Sequence, residues 1–143
     1  MYEKFGQFID GKWSPSENKE TYEVINPATE EVIGQASKAT SGDVERALKS
    51  AEKGLQIWKK TPPWQRSYVL RKIADKMREK KDVLAKWMTL ENGKPLVEGA
   101  AEANGTADIF EWNAEETKRI FGQTIQSRFE DTRVHVYYQP VGV

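Results

Sequence analysis

Met88-Thr-Leu-Glu-Asn-Gly-Lys-Pro95 is the stretch where a long helical pattern stops. Gly93 can take the left-handed conformation that closes a helix, and Pro95 cannot continue one, so two independent stop signals coincide. Amphipathic helical segments lie on the N-terminal side and another begins within a few residues on the C-terminal side, so this corner decides how the helices pack. It also carries a carboxylate, Glu91, and an amide, Asn92, where backbone carbonyls are released from helix pairing. A carboxylate beside freed carbonyl oxygens resembles the oxygen-rich shell of a hard cation. The plainer reading is a surface glutamate that ends a helix.

Upstream of the corner, Val83, Leu84, Trp87 and Met88 form the apolar face of the helix that Gly93 ends, with Asp82 as its cap. Before it, Leu70, Ile73, Ala74 and Met77 mark another face, and Lys80-Lys81 interrupts it, so two helices with a bend between them are expected. Thr61-Pro62-Pro63 breaks the pattern again, and proline suits the first helical position. From Thr40 or Ser41 as N-cap, Val44, Ala47, Leu48, Ala51, Leu55 and Trp58 recur at intervals of three and four, which predicts one more amphipathic helix. Downstream, Ala100, Ala103, Ala107, Phe110, Ala114 and Phe121 follow helical spacing to Gly122. Their small side chains allow close approach to a neighbouring helix, although Gly99 and Gly105 each lower its intrinsic stability by about 1 kcal/mol relative to alanine.

The two ends of the chain read as strands. Asp10-Gly11 between short apolar runs predicts a tight hairpin over Phe8–Trp13. Ser14 to Glu20 reads as a loop. Tyr22 and Val24 on one side of Asn26-Pro-Ala-Thr-Glu-Glu31, with Val32-Ile33 on the other, predict a second hairpin. Thr124 to Ser127 looks extended, and Val134-His-Val-Tyr-Tyr138 has the β-branched and aromatic content of a strand. Pro140-Val-Gly-Val143 then opens a further apolar segment with no cap or polar tail, which reads as a truncated chain.

The 143 residues suit one domain or part of one. Lys plus Arg and Asp plus Glu stand at 22 each, so no long-range field favours nucleic acid or an anionic membrane. No apolar run approaches the roughly 20 residues of a membrane span, and Met1-Tyr-Glu-Lys4 is not followed by a signal segment, so the expected location is cytoplasmic. With no cysteine, the chain has no disulfide, thiolate metal site or cysteine nucleophile. Neither G-x-G-x-x-G nor a phosphate loop is present, since Gly93-Lys94 is followed by Pro95 and closes a helix where such a loop would open one. His135 sits alone in an alternating strand. Glu111, Glu115 and Glu116 beside Lys118 and Arg119 read as a solvated helix face, and no serine stands in a nucleophile elbow. The residues therefore compose no complete active site.

An ordered set of motifs nevertheless resembles a known family. Ile25-Asn-Pro-Ala-Thr-Glu-Glu-Val-Ile33, Trp58, Pro63-x-x-Arg66, Met88-Thr-Leu-Glu-Asn-Gly-Lys-Pro95, Phe110-Glu-Trp112, Gly122-x-Thr-Ile125 and Gln139-Pro-Val-Gly-Val143 resemble, in order and spacing, the N-terminal part of the NAD(P)-dependent aldehyde dehydrogenase superfamily. The Phe110–Glu116 stretch and Gln139-Pro140 are most similar to the succinate-semialdehyde dehydrogenase type, with Asn113 where that type has an aromatic residue.

The resemblance implies an α/β fold in which this chain is the N-terminal helical and β-hairpin part of a Rossmann-type domain. Residues 1–122 would belong to the cofactor-binding domain, and 123–143 would begin a β-arm used to form a homo-dimer or homo-tetramer, its strand edge open to self-association if unpartnered. The family's chemistry is attack of a cysteine thiolate on the aldehyde, hydride transfer to NAD or NADP, and release of the acid by water that a glutamate activates. Those groups lie beyond residue 143 in the family's order, so the resemblance implies an enzyme for a small aldehyde or semialdehyde and an inactive fragment. It further implies a structural sodium or potassium ion held by backbone oxygens of Val24 and Ile25 and the side chain of Glu91, and substrate access past Asn104, Asp108 and Trp112. The competing reading is a non-enzymatic helical module that binds a partner through its C-terminal strand.

Overall fold

In a computed structural model, residues 6–143 are described; the Met1–Lys4 start lies outside them. Among the described residues there are four helices and three antiparallel hairpins. Strands β1 (Gln7–Ile9) and β2 (Lys12–Ser14) meet through Asp10 at φ 54° and Gly11 at φ 74°, the positive values a two-residue hairpin demands. Phe8 faces Trp13 across it, with ring centroids 5.2 Å apart. Strands β3 (Thr21–Ile25) and β4 (Val32–Ser37) form the second hairpin. Val24 pairs with Gly34 and Ile25 with Val32, so Ile33 is the extra residue of a bulge that breaks the ladder there.

Helix α1 (Ser41–Trp58) starts at Thr40, whose hydroxyl accepts from the Asp43 N–H while the Asp43 carboxylate accepts from the Thr40 N–H. Helices α2 (Pro63–Glu79) and α3 (Lys81–Asn92) are joined by a bend at Lys80, and α4 (Leu96–Glu116) runs back along both. Pro63 occupies the first turn of α2, where its missing N–H leaves nothing unpaired. Asp82 is not the cap of α3. Its N-cap is Lys80, whose carbonyl accepts from the Leu84 N–H at 3.0 Å, and no side chain caps the end. The two helices follow one another too closely for a capping residue to stand outside the first turn.

The core is made of small residues. Ala74 of α2, Ala85 of α3 and Ala103, Ala107 and Ala114 of α4 are buried, and a Cβ added at Gly99 would lie 3.0 Å from the Ala85 carbonyl oxygen. The small-residue spacing of α4 is thus used as expected, to bring it close to its neighbours. Across the same seam Arg78 donates to Asp108 at 2.7 Å and Glu111 at 2.6 Å, and Arg71 pairs with Glu115. The predicted α1 face is only partly covered: Ala47, Ala51 and Leu55 are half-buried, whereas Val44 and Leu48 stay exposed. The accessible surface of 11057 Å² exceeds the roughly 7,500 Å² usual for a folded monomer of this mass.

Helix α4 ends at Glu116, short of Gly122. Thr117 caps it by donating to the Asn113 carbonyl at 2.9 Å, and Lys118 and Arg119 tighten the turn with bonds to Glu115 and Glu116. Phe121, whose spacing suggested a core position, is exposed. Gly122 serves instead the hairpin of β5 (Gln123–Gln126) and β6 (Arg133–Val136), where a Cβ would fall 2.3 Å from the Val136 carbonyl oxygen. Strand β6 stops before Tyr137 and Tyr138 because β5 supplies partners only from Gln123 to Gln126.

Candidate functional site

The corner between α3 and α4 is built by backbone. Gly93 sits at φ 74°, ψ 8°, and its N–H donates to the Thr89 carbonyl at 2.9 Å, while the Thr89 hydroxyl donates to Ala85 O at 3.0 Å. Pro95 then sets the N-cap of α4 at φ −57°, and its carbonyl accepts from the Glu98 and Gly99 N–H groups. Lys94 pairs with Glu102, fixing the loop to the first turns of α4.

This corner meets the Asn26–Glu31 turn in space. A Cβ on Gly93 would lie 3.1 Å from Pro27 Cγ. The turn itself is closed by Asn26, whose side-chain oxygen accepts from the Ala28 N–H at 3.0 Å and whose carbonyl accepts from Glu30 at 2.8 Å, with Glu30 at φ 60°. Val24 and Ile25 lie just before it, at the ladder break opposite Ile33. Glu91 is exposed and makes no hydrogen bond or ion pair among the described residues. No group of three His, Cys, Asp or Glu side chains that could hold a metal occurs among the described residues; carbonyl oxygens with a single carboxylate form a different kind of donor set.

Asn104, Asp108 and Trp112 line up one turn apart on the exposed side of α4. Asp108 is engaged by Arg78, Asn104 is exposed, and Trp112 is 70% exposed. None of the three lines the cavity of about 600 Å³ between α2 and the C-terminal end of α4, whose wall includes Trp58, Arg66, Leu70, Phe110, Asn113 and Thr117.

Asp43 is the functional-looking residue that the sequence reading passed over. It is the largest fully buried side chain, accepting from Gln7 Nε2, the Glu17 N–H, the Thr40 N–H and hydroxyl, and Arg46. The Thr40 backbone N–H, helped by Glu17 and Gln7 and opposed by burial, holds its carboxyl down from 3.8 to about 2. Thr40-x-x-Asp43 is a capping-box spacing and could have revealed the helix-start contact. Nothing local announced the reach to Gln7 and Glu17. The site is a clasp between the first hairpin, the following loop and α1.

The sequence profile of the aldehyde dehydrogenase family matches residues 13–143. The chain belongs to the aldehyde dehydrogenase family. Among curated aldehyde dehydrogenases, it is 43% identical to glutarate-semialdehyde dehydrogenase of Pseudomonas putida over 95% of its own length and 28% of the relative's. It is 38% identical to the NADP(+) succinate-semialdehyde dehydrogenase of Escherichia coli, over 94% of the chain and 28% of the relative. A crystal structure of a betaine aldehyde dehydrogenase point mutant from Staphylococcus aureus, in complex with NAD+, superimposes at a TM-score of 0.84 and 35% identity, covering 90% of this chain and 26% of that one. The chain spans little more than a quarter of the length of the relatives it matches. Its helices and hairpins are those of the N-terminal part of the aldehyde dehydrogenase α/β fold, as the resemblance implied.

Proposed function

We propose that this chain is the N-terminal part of an NAD(P)+-dependent aldehyde dehydrogenase that oxidises a small semialdehyde to the acid. The family match across residues 13–143 carries the reading, and relatives that act on glutarate and succinate semialdehyde narrow the substrate class. NAD or NADP, when bound, supplies the hydride acceptor. The nucleophile has to come from outside these residues, because the chain contains no cysteine. Residues 1–122 serve as the helical and hairpin layer of the cofactor-binding domain, and the exposed apolar faces of α1 and α2 supply surface for further protein to cover. Residues 123–143 start the arm that joins subunits into a homo-dimer or homo-tetramer, in the cytoplasm, without nucleic acid or membrane as partner. Among the described residues no helix is long and apolar enough to cross a membrane.

Val24, Ile25 and Glu91 hold a structural sodium or potassium ion in this reading. The contact of Gly93 with Pro27, the ladder break at Val24–Ile25 and the unpaired Glu91 carboxylate support it. Asn104, Asp108 and Trp112 border the substrate entrance, with Asp108 oriented by Arg78. Two measurements test the reading. NAD(P)H formation with succinate and glutarate semialdehydes is expected from the full-length gene product and absent from the 143-residue chain; turnover by the short chain refutes it. Sodium or potassium is expected to raise the melting temperature of the full-length enzyme, and Glu91→Gln to remove most of that rise. An unchanged cation response in the variant excludes the site.

A further inference from the structure

Asparagine is followed by glycine twice in the sequence, at Asn92-Gly93 and at Asn104-Gly105. This dipeptide is chemically labile. The backbone nitrogen after the asparagine can attack the side-chain carbonyl carbon, and a glycine there puts no side chain in the way. A new C–N bond closes a five-membered succinimide, the bond from Cγ to the amide nitrogen breaks, and ammonia leaves. Water then opens the ring at either carbonyl to give aspartate or isoaspartate, with no oxidant or reductant involved.

Ring closure makes two demands that a helix opposes. The glycine N–H must give up its proton, and the asparagine ψ must leave the helical value of about −42°. Both asparagines lie in helices, Asn92 as the last residue of α3 and Asn104 in the interior of α4. They differ in what holds them. Rotation at Asn92 releases the Gly93 N–H from the Thr89 carbonyl, the 2.9 Å bond that closes α3. A helix end opens at low cost. Rotation at Asn104 breaks every i→i−4 bond of α4 that spans it. It also pulls Ala103 and Ala107, both fully buried, out of the seam with α2 and α3. These restraints are made within the chain, so further protein laid over either helix neither supplies nor removes them.

We propose that Asn92-Gly93 is a deamidation site gated by opening of the α3 end, and that α4 keeps the identical pair at Asn104-Gly105 from reacting. The site does not rest on the dehydrogenase reading above. Conversion runs one way. The new carboxylate stands beside Glu91 at the negative end of the α3 dipole, and isoaspartate lengthens the main chain by a carbon, which shifts Gly93 off its bond to Thr89.

The test is incubation of the full-length protein at mildly alkaline pH, folded and in guanidinium chloride, with peptide mass mapping of both pairs over time. Unfolded, the two pairs are expected to convert at similar rates. Folded, Asn92 is expected to convert more slowly than in the unfolded chain but at least about 10-fold faster than Asn104, a factor that one or two additional hydrogen bonds account for. Ala107→Gly loosens α4 without touching either pair, and is expected to speed conversion at Asn104 about fivefold and leave Asn92 unchanged. Equal conversion at the two pairs in the folded protein, none at either included, overturns the proposal. So does a folded protein in which Asn104 leads, or in which Asn92 converts as fast as in the unfolded chain. An Ala107→Gly protein whose Asn104 is no faster than its parent's overturns the shielding by α4.

Discussion

Gly93→Ala tests the corner that organises the helices. At φ 74° an L-residue meets its own carbonyl, at a cost of about 1–2 kcal/mol. The added Cβ would also stand 3.1 Å from Pro27 Cγ, but Pro27 lies on an exposed turn and can yield by a few tenths of an ångström, so the backbone conformation dominates. A chain of this length loses roughly 3–6 °C of melting temperature for that amount. Gly105→Ala is the control. It lies inside α4 with nothing within 4 Å of a new Cβ, so it should stabilise the helix by about 0.5–1 kcal/mol. Urea unfolding followed by circular dichroism reads both, and the midpoints should move in opposite directions. A Gly93→Ala protein as stable as its parent, or two shifts of one sign, refutes the assignment of Gly93 as a left-handed cap.

Further outcomes follow from the packing and the clasp. Asp43 has a folded pKa depressed from 3.8 to about 2, so its stabilisation is fully present above 3.8 and is lost as pH falls through the folded value. Asp43→Asn should flatten that acid limb in a pH series of thermal melts while lowering stability at neutral pH. Gly99→Leu forces a side chain onto the Ala85 backbone, 3.0 Å from its oxygen, and should destabilise by about 1–3 kcal/mol in urea unfolding. Arg78→Ala removes two largely solvated ion pairs and should lower stability by no more than about 1 kcal/mol, with the difference shrinking as salt is added.

Most of the scaffold was legible because its signals are local. Asp10-Gly11 dictates the first hairpin, Asn26-Pro27 the second, and Gly93 with Pro95 the break between α3 and α4. Errors arose where spacing alone stood in for packing. Phe121 keeps helical register with Ala114, yet Thr117 has already closed α4, and Gly122 answers to the backbone of β6. Asp82 has a capping side chain but falls inside the first turn of α3 because α2 ends so near. Asp43 was invisible as a special residue, since it owes its burial to Gln7 and Glu17, far away in sequence. Glu91 stood out by its place at a helix end beside freed carbonyls, and the resemblance added Val24 and Ile25 as its companions.

The approach of Pro27 to Gly93 ties two turns far apart in sequence into one steric unit. A proline ring at 27 would have to move by a few tenths of an ångström to admit a methyl at 93, so the two positions feel each other's side chains. Pro27→Ala should therefore recover the smaller, steric part of what Gly93→Ala loses. The part it cannot recover is the left-handed backbone, which belongs to position 93 alone.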